Sequence, residues 1–93
     1  MRIGDVKPFK RCYADDKGQF LKPLEEAAEL MEAWKAWRKA THLTSSNKRR
    51  DELVDEIADT IQACLNCAAA LGIKDMGPYM RKCQRRNESR GRY

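Results

Sequence analysis

Ninety-three residues make one domain with a modest core. Apolar residues are 42% and charged residues 35% of the chain, a balance that fits paired amphipathic helices better than a self-sufficient globule. The net charge of +5 favours an anionic partner, whereas no apolar run is long enough to span a bilayer and the start lacks an apolar signal core. A membrane role and secretion are therefore set aside. With four cysteines and no sign of an oxidising compartment, the expectation is a reduced, cytoplasmic protein.

Residues 1–21 show no sustained periodicity, Asp15-Asp16-Lys17-Gly18 reads as a turn, and the segment is expected to be an irregular arm, with a short helix or a substrate-covering role both open to it. A first helix is predicted over 22–40, with Pro23 in its first turn, where the missing N–H costs nothing. Leu24, Ala27, Met31 and Trp34, widened by Leu30 and Trp37, form its apolar stripe. Glu25, Glu26, Glu29 and Glu32 fall on its other side, near the N-terminal end that the helix dipole favours for anions. Thr41 to Asn47 is the polar connection, with Ser45, Ser46 or Asn47 as candidate caps but no capping box.

A second helix is predicted over 48–71, stopped by Gly72, with Leu53, Val54, Ile57, Ala58, Ile61, Leu65 and Ala68 as its apolar face. Glu52, Glu56 and Asp59 lie opposite or flanking. A third helix, 75–88, has a thin apolar face, and the tail from Glu88 to Tyr93 reads as frayed. The fold expected is an all-α antiparallel helical bundle, one domain over 1–93, completed by oligomerisation.

The acidic rows carry the chemistry. As solvated faces they are poorly arranged: Glu25 stacks on Glu29, Asp51 on Asp55 and Asp59, and Glu52 on Glu56, each a like-charge pair costing about 0.2–0.5 kcal/mol. Lys35 after Glu32 and Arg49 before Glu52 offset only part of this. Glu26 and Glu29 share a helix face, as do Glu56 and Asp59. Antiparallel helices with axes about 8–10 Å apart would let the four carboxylates converge on one cation. An all-oxygen donor set suits Mg²⁺, or Mn²⁺, over zinc.

LEEAAEL (24–30) followed by DEIAD (55–59) resembles the paired motif of the MazG-like all-α nucleoside triphosphate pyrophosphohydrolases, E-E-x-x-E on one helix and E-x-x-D on the next. Arg86-Asn87-Glu88-Ser89-Arg90-Gly91 resembles the K/R-N-x-x-R-G ending of small, phage-type members. The resemblance covers roughly residues 22–92, and 26 residues separate Glu29 from Glu56. It implies Mg²⁺-dependent hydrolysis of nucleoside triphosphates between the α- and β-phosphates, giving a monophosphate and pyrophosphate. By the same resemblance Glu26, Glu29, Glu56 and Asp59 are metal ligands, and Glu25 either orients water or is a structural partner. Arg86 and Arg90, with Asn87 and Lys82 beside them, would bind the phosphates, and Trp34 is a candidate to stack on the base. It also implies a pocket shared in a homodimer or homotetramer.

Other features of the chain admit different functions. The basic run from Arg81 to Arg92 could serve a nucleic-acid binder or a regulatory helical dimer without catalysis, though it lacks interleaved aromatics. Within enzymes the rival is phosphoribosyl-ATP pyrophosphohydrolase, against which the 86–91 ending argues. Cys64-x-x-Cys67 lacks a second cysteine pair and reads as small side chains in an Ala-rich helix rather than as a zinc site. His42 is assigned no role.

Overall fold

The computed structural model describes residues 1–93 and is all-helical: α1 (Lys17–Lys39), α2 (Leu43–Ala70) and α3 (Gly77–Ser89). No helix is long and apolar enough to cross a membrane. Residues 40–42 alone join α1 to α2, a connection short enough to force the two helices back along one another, and these two are the only helices packed closely together.

Helix α1 begins five residues before the expected start. The turn at Tyr13–Asp16 delivers Asp16 as N-cap, its Oδ1 accepting from the backbone N–H of Gly18 (3.0 Å) and Gln19 (3.4 Å). Pro23 therefore lies inside the helix rather than in its first turn. Its missing N–H leaves the Gln19 carbonyl without its helical donor, and the Cys67 thiol of α2 donates to that oxygen at 3.4 Å. The glutamates fall well inside the helix, with no acidic residue in the first turn, so the dipole does not favour them.

Helix α2 also starts five residues early. Ser45, Ser46 and Asn47 lie within its first turns, and the cap is His42, whose carbonyl accepts from the Ser46 N–H at 2.8 Å without any side-chain cap. Its C-terminus follows the sequence: Gly72 has φ +81°, its N–H donates to the Ala69 carbonyl (2.9 Å), and Ile73 N–H donates to Ala68 (3.1 Å). That reciprocal pair is a Schellman motif. Helix α3 ends the same way. Gly91 (φ +70°) and Arg92 donate to the carbonyls of Glu88 and Asn87, both at 3.0 Å, so the tail expected to fray is tied to the helix as far as Arg92.

The apolar stripe of α1 is rotated from its expected position. The residues turned toward α2 are Pro23, Glu26, Leu30, Ala33 and Trp37, whereas Leu24, Met31 and Trp34 are exposed, Leu24 at 69%. On α2 the inner face runs through Leu53, Glu56, Thr60, Ala63 and Cys67, and Val54 and Ile57 look outward. Both helices carry two stripes with apolar members, and the seam takes the one through Leu30 and Trp37 on α1 and through Leu53 and Ala63 on α2. Glu26 and Glu56 consequently sit on the seam, not opposite it.

The arm is not loose. Phe9 N–H donates to Asn66 Oδ1 (3.0 Å), and Gln62 Nε2 donates to the Lys7 carbonyl (2.9 Å), fastening residues 7–9 along α2. Even so, only Ala63 and Asn66 are buried. α3 stands away from the long helices beyond an open apolar hollow of about 690 Å³ walled by Ile3, Val6, Leu65, Ile73 and Met80.

Gly72→Ala should destabilise the fold by about 1 kcal/mol, because a Cβ at positive φ is strained even with open space around it. The thermal midpoint should fall by about 4–8 °C. Gly72→Asn, which tolerates the left-handed conformation, should lose less. Equal midpoints for all three chains would contradict the Schellman assignment.

Candidate metal centre

The three-residue step of α1 places Glu26 and Glu29 on adjoining turns of one side, and α2 brings Glu56 across the seam to meet them. Carboxylate oxygens of the three residues lie within 4.8 Å of one another. Asp59 lies outside that set, yet its charge bears on both Glu26 and Glu56. The backbone below Glu56 is held by Thr60, whose hydroxyl donates to the Glu56 carbonyl at 2.8 Å.

No cation of the chain forms an ion pair with this group, although the charge of Lys22 bears on Glu26 and Glu29. The ion pairs are Lys22–Glu25 (3.2 Å), Lys35–Glu32 (3.1 Å), Arg49–Glu52 (2.9 Å) and Arg50–Asp51 (3.5 Å). None involves Glu26, Glu29, Glu56 or Asp59. Glu56 Oε2 is removed from solvent and accepts no hydrogen bond. Partial burial pushes the Glu56 carboxyl above its ordinary range, and the charges of Glu29, Asp59 and Glu26 push further in the same direction. Glu26 is likewise raised, by burial first and then by Glu29 and Asp59, with Lys22 opposing weakly.

Carboxylates held together, half out of water and with one oxygen unpartnered, fit a hard divalent cation. Glu26, Glu29 and Glu56 could ligate one directly, with Asp59 next to them. The cysteines fit no such role: all four are free thiols, and burial with the neighbouring Cys64 and Cys12 raises the pKa of Cys67, favouring its protonated form. His42 sits in the turn between α1 and α2.

Beside the carboxylates a groove of about 610 Å³ opens between the arm, the first turns of α1 and the middle of α2. Glu25 faces this groove, paired with Lys22, rather than joining the cluster of three. Phe9, Gln19, Gln62 and Asn66 line the groove too, and sequence reasoning missed them. The available signal was the four-residue step from Gln62 to Asn66, two amides within an otherwise apolar stretch of α2.

The remaining expected site residues are not gathered at the carboxylates. Lys82, Arg86, Asn87 and Arg90 lie on or at the end of α3, which does not pack on α1 or α2. Asn87 is occupied within its own helix end: Nδ2 donates to Cys83 Sγ (3.5 Å), while Oδ1 and the backbone carbonyl accept from Arg92 Nη1 (3.1 Å) and N (3.0 Å). The Arg86–Gly91 segment thus has a cap role that needs no ligand. Trp34 stands eight residues, about 12 Å, along the helix from Glu26 and stacks with Arg38, whose guanidinium lies 5.8 Å from the ring centroid.

The chain matches no protein-family profile, and no curated protein or solved structure shows significant similarity to it.

The raised carboxyls set a pH dependence. The metal-free folded chain binds more protons than the unfolded chain between the ordinary glutamate value of 4.5 and the raised values, so its stability falls as pH climbs through that window and levels beyond it. Glu56→Gln should make that fall shallower and raise the metal-free melting temperature at neutral pH. Melting curves recorded across pH without divalent ions check this. Parallel pH profiles for the two chains would contradict the electrostatic description.

Proposed function

We propose that the protein is a Mg²⁺-dependent nucleoside triphosphate pyrophosphohydrolase of the MazG-like kind, cleaving between the α- and β-phosphates. The observation that carries this reading is the unpartnered Glu56 Oε2 set against the carboxylates of Glu26 and Glu29. These three would hold the ion, with Mn²⁺ as an alternative, and Asp59 would complete the acidic set. Bound Mg²⁺ supplies polarised phosphoryl oxygens and a water acidic enough to act as nucleophile near neutral pH. Glu25, at the groove beside Lys22, is positioned to orient water once that ion pair loosens.

Phosphate recognition needs more positive charge than Lys22, the one cation lining the groove and already paired with Glu25, provides. Lys82, Arg86 and Arg90 make no ion pair within the chain, and a second copy laying its α3 near the carboxylates would supply them. The exposure of Leu24, Met31, Val54 and Ile57 and the small buried core favour such a homodimer or homotetramer. Four free thiols suit a cytoplasmic setting. The stand-off of α3, with its unpaired arginines, favours one other reading, a nucleic-acid-binding helix. Its signature would be affinity that falls steeply with salt and no hydrolysis.

The test is a panel of nucleoside triphosphates, phosphoribosyl-ATP included, with Mg²⁺ or Mn²⁺ and detection of released pyrophosphate. Hydrolysis of at least one is expected. Glu29→Ala and Asp59→Ala should each lower turnover at least about a hundredfold with the helical circular dichroism kept. Turnover of none of the panel, or full activity in both variants, would overturn the assignment.

A further inference from the structure

Asn66 is 4% exposed, yet it lines the groove beside the carboxylates. Its Oδ1 accepts twice, from the Phe9 backbone N–H and from Gln62 Nε2, both at 3.0 Å. A backbone N–H can only donate, so the carboxamide orientation is fixed. The Nδ2 hydrogens have no partner in the chain, and this nitrogen is not among the atoms shut away from solvent, so the orientation fixed at Oδ1 leaves a pair of donors open to a ligand at the groove. Gln62 is held in a complementary way. Its Nε2 hydrogens go to the Lys7 carbonyl and to Asn66, leaving Oε1 free as an acceptor. Phe9, 65% exposed on the groove wall, offers an aromatic face, and Ala63 leaves the floor shallow.

We infer that this groove is the base pocket of the nucleotide, in which Asn66 Nδ2 donates to an exocyclic carbonyl oxygen and Phe9 stacks on the ring. The inference rests on the nucleotide reading above and adds its specificity. Bases carrying a carbonyl on the recognised edge (uracil, hypoxanthine) are accepted, whereas the amino groups of cytosine and adenine would set donor against donor. The groove also adjoins Glu26 and Asp59, so a base seated in it leaves its phosphates beside the carboxylates. Asn66 and Gln62 fasten the arm as well, which means that the contacts holding Phe9 over the groove are the ones that orient the reading amide.

Binding of nucleosides, which bring no phosphate against the uncompensated carboxylates, tests this independently of metal and catalysis. The full-length chain should bind uridine and inosine about tenfold or more tighter than cytidine and adenosine, with the Asn66 side-chain amide resonances shifting on addition of uridine. Asn66→Asp keeps the acceptor for Phe9 and Gln62 but removes the donors, and should erase or reverse the preference. Phe9→Ala, an exposed change that leaves the fold intact, should weaken all four ligands while keeping their order. Equal affinity for carbonyl and amino bases, an unshifted Asn66 amide, or no loss in Phe9→Ala would overturn the pocket, even if triphosphate hydrolysis proves real. Conversely, base discrimination in a chain that hydrolyses nothing would uphold the pocket and sink the hydrolase.

Discussion

Repulsion between carboxylates held on the seam of α1 and α2 is the constraint around which this protein is arranged. Glu26, Glu29 and Glu56 approach within 4.8 Å without a lysine or arginine among them, and one Glu56 oxygen is shut away with no donor. A seam designed only for stability would place leucines there, since the chain carries several that it leaves outside. Packing energy is surrendered to hold negative charge in a small, partly dry volume. A divalent cation, as proposed, would convert that liability into cohesion, because each carboxylate would gain a ligand bond and its repulsion would be screened.

The same seam explains why the arm matters. Residues 7–9 run along α2 and are tied to it by Gln62 and Asn66, and this closes one side of the groove that adjoins the carboxylates. The carboxylate cluster and the groove therefore share α2: Glu56 belongs to one, and Asp59, Gln62 and Asn66 line the other, within three turns of one helix. Cys67 adds a supporting contact by capping the carbonyl that Pro23 leaves free, which holds α1 and α2 in register near the groove. What the single chain does not provide is positive charge at the acidic pocket beyond Lys22, which is paired with Glu25, or a cover for its outward apolar stripes.

Much of the architecture was legible in the residues. Three helices, the stop at Gly72 and the convergence of Glu26, Glu29 and Glu56 follow from periodicity, glycine chemistry and three-residue spacing. The misread parts have identifiable causes. Pro23 reads as a helix start because its missing hydrogen bond is harmless there, whereas at its interior position a thiol from another helix donates to the carbonyl it leaves free. Leu24, Met31 and Trp34 outweigh Leu30, Ala33 and Trp37 in apolar bulk, so the seam face could not be chosen from one helix alone. Asn66 escaped notice because a single amide in an apolar stretch acquires meaning only when the arm folds over it.

The most direct test of the central claim is a crystal structure of the full chain grown with Mn²⁺, whose anomalous scattering locates the ion. A peak in contact with the Glu56 carboxylate and with those of Glu26 and Glu29 is expected. Full Mn²⁺ occupancy elsewhere, with the Glu56 oxygen paired to a protein donor, would contradict it.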